Sequence, residues 1–190
     1  RNQFAAMPQL SSISLSYEIP DGNNSGSAGI YRFGTDSARA ITAQALTTDE
    51  NYLSVYKIPL QAGAFFEGHA TDSAKIILNE TAVHALGWKN ATNAIGQQIR
   101  VPNDPTVFTV KGVVNDFHFS SMQQKIAPII FFNVQAAPIY RYLSFKLNPG
   151  NIPAAISALQ TKWSTLMPGA PFEYRFMDDT LAGIYKMELH

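Results

Sequence analysis

"IILNETAVHALGWKNATNAIGQQI", Ile76 to Ile99, reads as a strand, a short helix, a glycine turn and a second strand. Ala74 to Glu80 is an apolar run of strand length bounded by polar residues. Asn79 then places a side-chain oxygen where a helix start leaves backbone N–H groups unpaired. Along "ETAVHALG" the residues Ala82, Val83 and Leu86 make one apolar stripe, and Gly87 stands where a left-handed residue ends a helix. Trp88 is expected to fold back on that helix. Further on, "FTVKGVVNDFHFSSMQQKIAPIIFF" runs from Phe108 to Phe132. Gln97 to Val101 and Val107 to Val114 flank the turn "PNDP" and predict a hairpin, with another strand over Ile126 to Phe132.

Outward from this centre the pattern continues. Ser12 to Ile19 alternates Ile13, Leu15, Tyr17 and Ile19 with polar partners, the period of a half-buried strand. Pro20 to Ser27 is a loop by composition, Ile30 to Phe33 begins a second strand, and Arg39 to Leu46 is a third. Thr48 or Asp49 is placed to cap a helix over Asn51 to Lys57, which Pro59 ends. Leu60 to Phe66 is a strand, followed by a polar loop holding His69. Towards the other end, Arg141 to Leu147 alternates as a strand. Asn151 caps the longest helix, with Ile152, Ile156, Leu159, Trp163 and Leu166 as its apolar stripe and Pro153 in the first turn. "PFEYRFMD" returns as a strand with Phe172, Tyr174 and Phe176 on one face. These elements predict an α+β fold in two lobes. One, of βαβ type, is built from both chain ends, 1–59 and 139–190; the other, a small mixed α/β lobe over 60–138, is inserted into it.

Composition narrows the function. Fourteen basic and fourteen acidic residues cancel, so no basic field attracts nucleic acid. Zero cysteines exclude a thiol nucleophile, a disulfide framework and thiolate zinc sites. No apolar run reaches the ~20 residues that span a bilayer. The ends nevertheless read as unfinished helices. "RNQFAAM", Arg1 to Met7, spaces Phe4 and Met7 as a last helical turn before Pro8, and "DDTLAGIYKMELH" is expected to run as a helix from the cap Asp178. Such ends suit a domain set between two transmembrane segments, which would place Phe4 and Tyr185 close together.

Chemistry has few places to stand. In "NDFHF" the period of two puts Asp116 and His118 on one face of a strand, where a metal pair or an acid and base pair is geometrically possible. The plainer role for His118 is a hydrogen bond to a turn or neighbouring strand. His84 borders the buried stripe of a short helix, His69 sits in a loop and His190 belongs to the chain end. Asn23, Asn79 and Asn90 head N-x-Ser/Thr triplets, which arise often by chance. No nucleophile elbow, phosphate loop, dinucleotide fingerprint or zinc helix is present. No catalytic, cofactor-binding or metal-binding residue is therefore assigned, and no cofactor is expected.

Four words in this order carry a resemblance: "LTTDENYLSVYKIPLQAGAFF" (46–66), the two stretches quoted above, and "ALQTKWSTLMPGAPFEYRFMDDTLAGIYKME" (158–188). The chain resembles the extracytoplasmic, periplasmic core domain of MacB/FtsX-type ABC transporter permeases, in a form similar to that of Bacteroidetes. It departs from the family's wording at Ala64 and Ala94, both in turns. The resemblance implies a porter-like lobe, 1–59 with 139–190, and an inserted sabre-like lobe, 60–138. It also implies a periplasmic domain of an inner-membrane protein that is not an enzyme. The implied partners are a separate ATP-binding cassette subunit, a second permease copy, a periplasmic adaptor and the membrane, reached through flanking helices. Two other readings stay open: a ligand- or peptide-binding module with an apolar pocket between the lobes, and a small hydrolase or metal protein built on Asp116 and His118.

Overall fold

The computed structural model describes residues 1–17, 26–117, 125–136, 142–176 and 184–188. Eleven strands share one hydrogen-bonded sheet. They are β1 (Leu10–Ser16), β2 (Ser27–Arg32), β3 (Ile41–Thr48), β4 (Leu60–Gly63), β5 (Lys75–Asn79), β6 (Gln98–Arg100), β7 (Phe108–Val114), β8 (Ile129–Asn133), β9 (Tyr142–Leu147), β10 (Tyr174–Phe176) and β11 (Ile184–Glu188). The helices are α1 (Asn2–Ala5), α2 (Tyr52–Tyr56), α3 (Glu80–Ala85), α4 (Ala91–Ala94) and α5 (Ile152–Leu166).

Pairing divides this sheet into two regimes. β3, β2, β6, β7, β5 and β8 pair in turn, and β8 returns to β3 in parallel register, so six strands close a circuit. Closure removes the unpaired edges that a small sheet would otherwise expose. Ile30, Ile76, Leu78, Ile99, Val113 and Ile130 are buried together there, with Ala82, Val83 and Trp88 packed against them. Outside the circuit, β1, β9, β11 and β10 form an antiparallel ribbon. The two regimes meet in a short β1 to β3 ladder at Ser16 and Thr48, where Tyr17 N donates to Thr47 O and Asp49 N to Leu15 O, and in an apolar cluster that Ile184 of β11 shares with Leu46, Ile77 and Phe131. β2 and β3, although within 1–59, thus pair with β6 and β8.

Several local expectations hold. The Asn79 side chain accepts from Ala82 N at α3, Gly87 is left-handed at φ 91°, and Trp88 N donates to Val83 O at 3.1 Å. The hairpin pairs Ile99 with Phe108, and its turn uses Asn103 at φ 64°. α5 starts at Asn151, whose side chain accepts from Ala154 N. Phe4 and Tyr185 do lie together: both pack in the cluster formed by Leu143, Phe145, Leu159, Trp163 and Met187.

Others are corrected. Ile184–Glu188 is not helical but the strand β11, paired with β9 on one side and β10 on the other. Ile184 and Met187 are both buried although they lie on opposite faces, so the alternation that marks a strand is missing from the sequence. The buried line of α5 is Ala155, Leu159 and Trp163, while Ile152 and Leu166 are 37% and 36% exposed. The strand expected around Tyr174 is present as β10, exposed along its whole length. Asn51 stands at the start of α2 without a side-chain cap, and Lys57, left-handed at φ 52°, ends that helix before Pro59. α4 was not expected; Asn90 caps it, accepting from Asn93 N. His118, His190, Asn23 and Asp178 lie outside the described residues.

Candidate functional site

With so short a ladder between ribbon and circuit, side chains at their junction supply much of what joins them. Asp49 follows β3 and is fully buried. Its Oδ1 accepts from Ser14 Oγ at 2.6 Å and Asn51 N at 3.0 Å, and its Oδ2 from Leu15 N at 2.8 Å. Asn51 Nδ2 donates to Ile13 O at 3.0 Å, tying the start of α2 to β1 a second time. Tyr56 at the end of α2 reaches β9, its hydroxyl 2.5 Å from Ser144 Oγ. One carboxylate and one short helix thus rivet the ribbon to β3.

Arg1 completes the rivet. Its Nη1 lies 2.8 Å from Asp49 Oδ2 and 2.6 Å from Glu50 Oε1, bridging two consecutive carboxylates. Burial pushes the Asp49 carboxyl above its ordinary value, only partly offset by the bonds from Ser14, Leu15 and Arg1. Burial opposes the charge of Arg1, yet bonds to Glu50 and Asp49 hold its guanidinium above the ordinary value. A cleft of about 380 Å³ opens beside these groups, lined by Arg1, Gln3, Leu15, Glu50, Gly68 and Gln135 among others. Its wall mixes charged and polar groups with the apolar Leu15 and Val134.

The sequence candidates for chemistry fall elsewhere. Asp116 accepts from Thr81 N at 3.0 Å and Thr81 Oγ1 at 2.8 Å, so its carboxylate anchors the first turn of α3. Asn79 reinforces that turn: its Oδ1 accepts from Ala82 N and Ile129 N, each at 2.9 Å, and its Nδ2 donates to Ala127 O. The "LNE" and "NDF" words are thus joined as a helix cap. Asp116→Ala is expected to lower stability by about 1–2 kcal/mol, as loss of a helix cap does. Chemical denaturation checks this.

His84 is exposed on α3. His69 is exposed with its Nε2 3.9 Å from Glu67, in a loop organised by Asp72, whose buried carboxylate accepts from the N–H groups of Glu67, Gly68 and His69. Lys111 Nζ closes that loop 3.4 Å from both Glu67 and Asp72. Among the described residues no three histidine, aspartate or glutamate side chains gather as a metal site. Asp49, which does the most work at the junction, was legible only as a possible helix cap.

Solved structures with a similar fold include domains of bacterial transport proteins. The periplasmic region of MacB from Actinobacillus actinomycetemcomitans superposes with a TM-score of 0.63 at 14% identity, covering 98% of this chain and 76% of that one. A domain of a putative permease from Porphyromonas gingivalis gives 0.60 at 12%, covering 97% and 78%. The extracellular domain of the noncanonic ABC-type transporter YknZ from Gram-positive bacteria gives 0.58 at 12%, covering 87% and 81%. The family model described as MacB-like periplasmic core domain matches residues 5–162, and the chain belongs to that family. None of the curated proteins compared with the chain matches it. It is therefore the extracytoplasmic domain of an ABC transporter permease of the MacB/FtsX type. No helix among its described residues is long and apolar enough to cross a membrane.

Proposed function

We propose that this domain converts ATP hydrolysis by a separate cytoplasmic subunit into movement outside the membrane, for export or signalling across the envelope. The observation that carries this is the rivet at Asp49. The ribbon and the circuit are each internally well paired; between them run one ladder pair, the buried carboxylate and α2, and Ile184 of β11 shares an apolar cluster with Leu46, Ile77, Phe131 and α2. Strain in one passes to the other through these packed side chains, which resist compression. Phe4 and Tyr185 share the core beside α5, so force arriving through either end of the chain meets the same lobe. We propose two lobes, 1–59 with 139–190 and 60–138, with β2 and β3 as the strands through which the first grips the second. A second permease copy and a periplasmic adaptor are the partners such a lever needs, and no catalysis of its own is required of it.

The test is made in the intact permease, with paired distance labels at Thr92 on α4 and Gln160 on α5, both exposed. The distance is expected to change on ATP binding. Arg1→Glu, which sets a third carboxylate against Asp49 and Glu50, is expected to abolish that change while ATP hydrolysis stays within about twofold, since like charges in contact repel. A distance that ignores nucleotide in the unaltered permease would sink the lever reading.

A further inference from the structure

β10 sits in the run Phe172-Glu173-Tyr174-Arg175-Phe176, which has the same chemistry read from either end except that the two charges are opposite. It is the terminal strand of the sheet order and, among the described residues, pairs on one side only, with β11. Its aromatic face is bare. Tyr174 and Phe176 are 44% and 51% exposed, although Phe172, Tyr174, Phe176 and Tyr185 already form a ladder of ring contacts with centroids 5.1–6.2 Å apart. An open edge flanked by exposed aromatics is a template for another strand.

We propose that β10 pairs antiparallel with β10 of a second copy of this chain, about a two-fold axis at Tyr174, so that one sheet runs through both molecules. The occupant follows from charge complementarity. With Tyr174 opposite Tyr174, Glu173 of each copy faces Arg175 of the other and Phe172 faces Phe176, an arrangement repeated by the symmetry. A slip of two residues keeps the faces but sets Glu173 on Glu173 or Arg175 on Arg175, which is destabilising. A slip of one turns the aromatic face of one copy to the opposite side of the sheet. One register alone satisfies both conditions. Within its own chain Arg175 lies directly opposite Lys186 of β11, so a glutamate on its other side gives Arg175 an anion where its own sheet gives it a cation. With zero net charge the chains do not repel at long range.

A ladder of about five residues buries less than the ~1,200 Å² of a stable interface. Pairing is populated by the effective concentration of two domains held in one assembly. The inference rests on the permease reading in that respect, and the experiment separates the two.

This chain has no cysteine, so in a permease with cysteines elsewhere replaced a single one placed here reports cleanly. In the intact permease, Tyr174→Cys should form a disulfide between copies, since opposed Cα atoms lie about 4.5–5.5 Å apart, within disulfide reach. Phe176→Cys should not, because its counterpart lies roughly 13 Å along the strand at ~3.3 Å per residue. The expected yield at 174 is at least about tenfold that at 176. Glu173→Arg or Arg175→Glu alone should reduce the Tyr174→Cys yield, and the two together should restore it. Equal yields at 174 and 176, or no link at 174 in a permease that is still dimeric, would overturn the edge pairing and leave the permease reading standing. A permease that is monomeric would overturn the pairing together with the two-copy reading.

Discussion

Asp49→Ala is expected to cost about 3–5 kcal/mol of stability, the range for removing one partner from a buried charged network. Four groups point at this carboxylate: Ser14 Oγ, Leu15 N, Asn51 N and the Arg1 guanidinium. Alanine leaves the two partly buried N–H groups without this acceptor, and an orphaned donor costs up to about 1–3 kcal/mol. Asparagine does not rescue the site fully. Each Asp49 oxygen takes a backbone N–H, whereas an amide offers one acceptor and turns its NH2 towards the other, so Asp49→Asn is expected to lose about 1–3 kcal/mol.

The pH dependence has an unusual sign. Burial raises the Asp49 carboxyl in the folded protein, so the folded state binds its proton more tightly than the unfolded chain does. The contribution of this group to stability therefore rises as pH falls from neutral towards the ordinary carboxyl value of about 3.9, opposite to a salt-bridged aspartate with a depressed value. Both variants should lack this rise, so their deficit against the unaltered domain should widen on acidification. Denaturant titrations at several pH values measure it. A deficit that narrows as pH falls would show that Asp49 is held below its ordinary value.

Reading the sequence succeeded where a local signal has one physical meaning. Asn79 before an apolar helical stripe, Gly87 after it and the "PNDP" turn each fix a short piece of backbone within a few residues. It failed where tertiary context supplies the meaning. Ile184 and Met187 mimic helical spacing because β11 is covered on both faces, and no local signal separates such a strand from a helix. Alternation in "PFEYRF" gave the strand and its aromatic face, but not that this face is left exposed at the sheet edge. The closed circuit depends on β3 meeting β8 across more than eighty residues, which no periodicity encodes. Asp49 was visible as a cap candidate beside Thr48, but its partners Ser14 and Leu15 lie about 35 residues earlier. Asp116 drew notice for its nearness to His118, yet its working partner is Thr81.

Gly112→Ala is expected to be strongly disruptive. Gly112 lies in β7 where β4 crosses it on one side and β5 on the other, opposite Gly63 and Ile77. Ladder irregularities flank the crossing in both pairs, with Lys111 bulged between Val110 and Gly112 in the pairing to β5. A Cβ at Gly112 would stand 2.1 Å from Ala64 O and 3.0 Å from Ala64 C. Those are backbone atoms, so no rotamer change relieves the clash, and β4 must leave β7. The expected loss exceeds ~4 kcal/mol, the range reserved for such failures, which lowers the melting temperature by roughly 10 °C or more in a domain of this size. Gly29→Ala in β2 is the matched control. Its Cβ meets Pro102 at 3.4 Å, an ordinary contact, and the melt should stay within a few degrees of the unaltered domain. If Gly112→Ala melted as Gly29→Ala does, β4 would not lie against β7 at this distance. Under the proposed lever role, a domain loosened in this way should leave ATP hydrolysis intact in the permease and stop the relay of movement, because a lobe that yields under load cannot act as a lever.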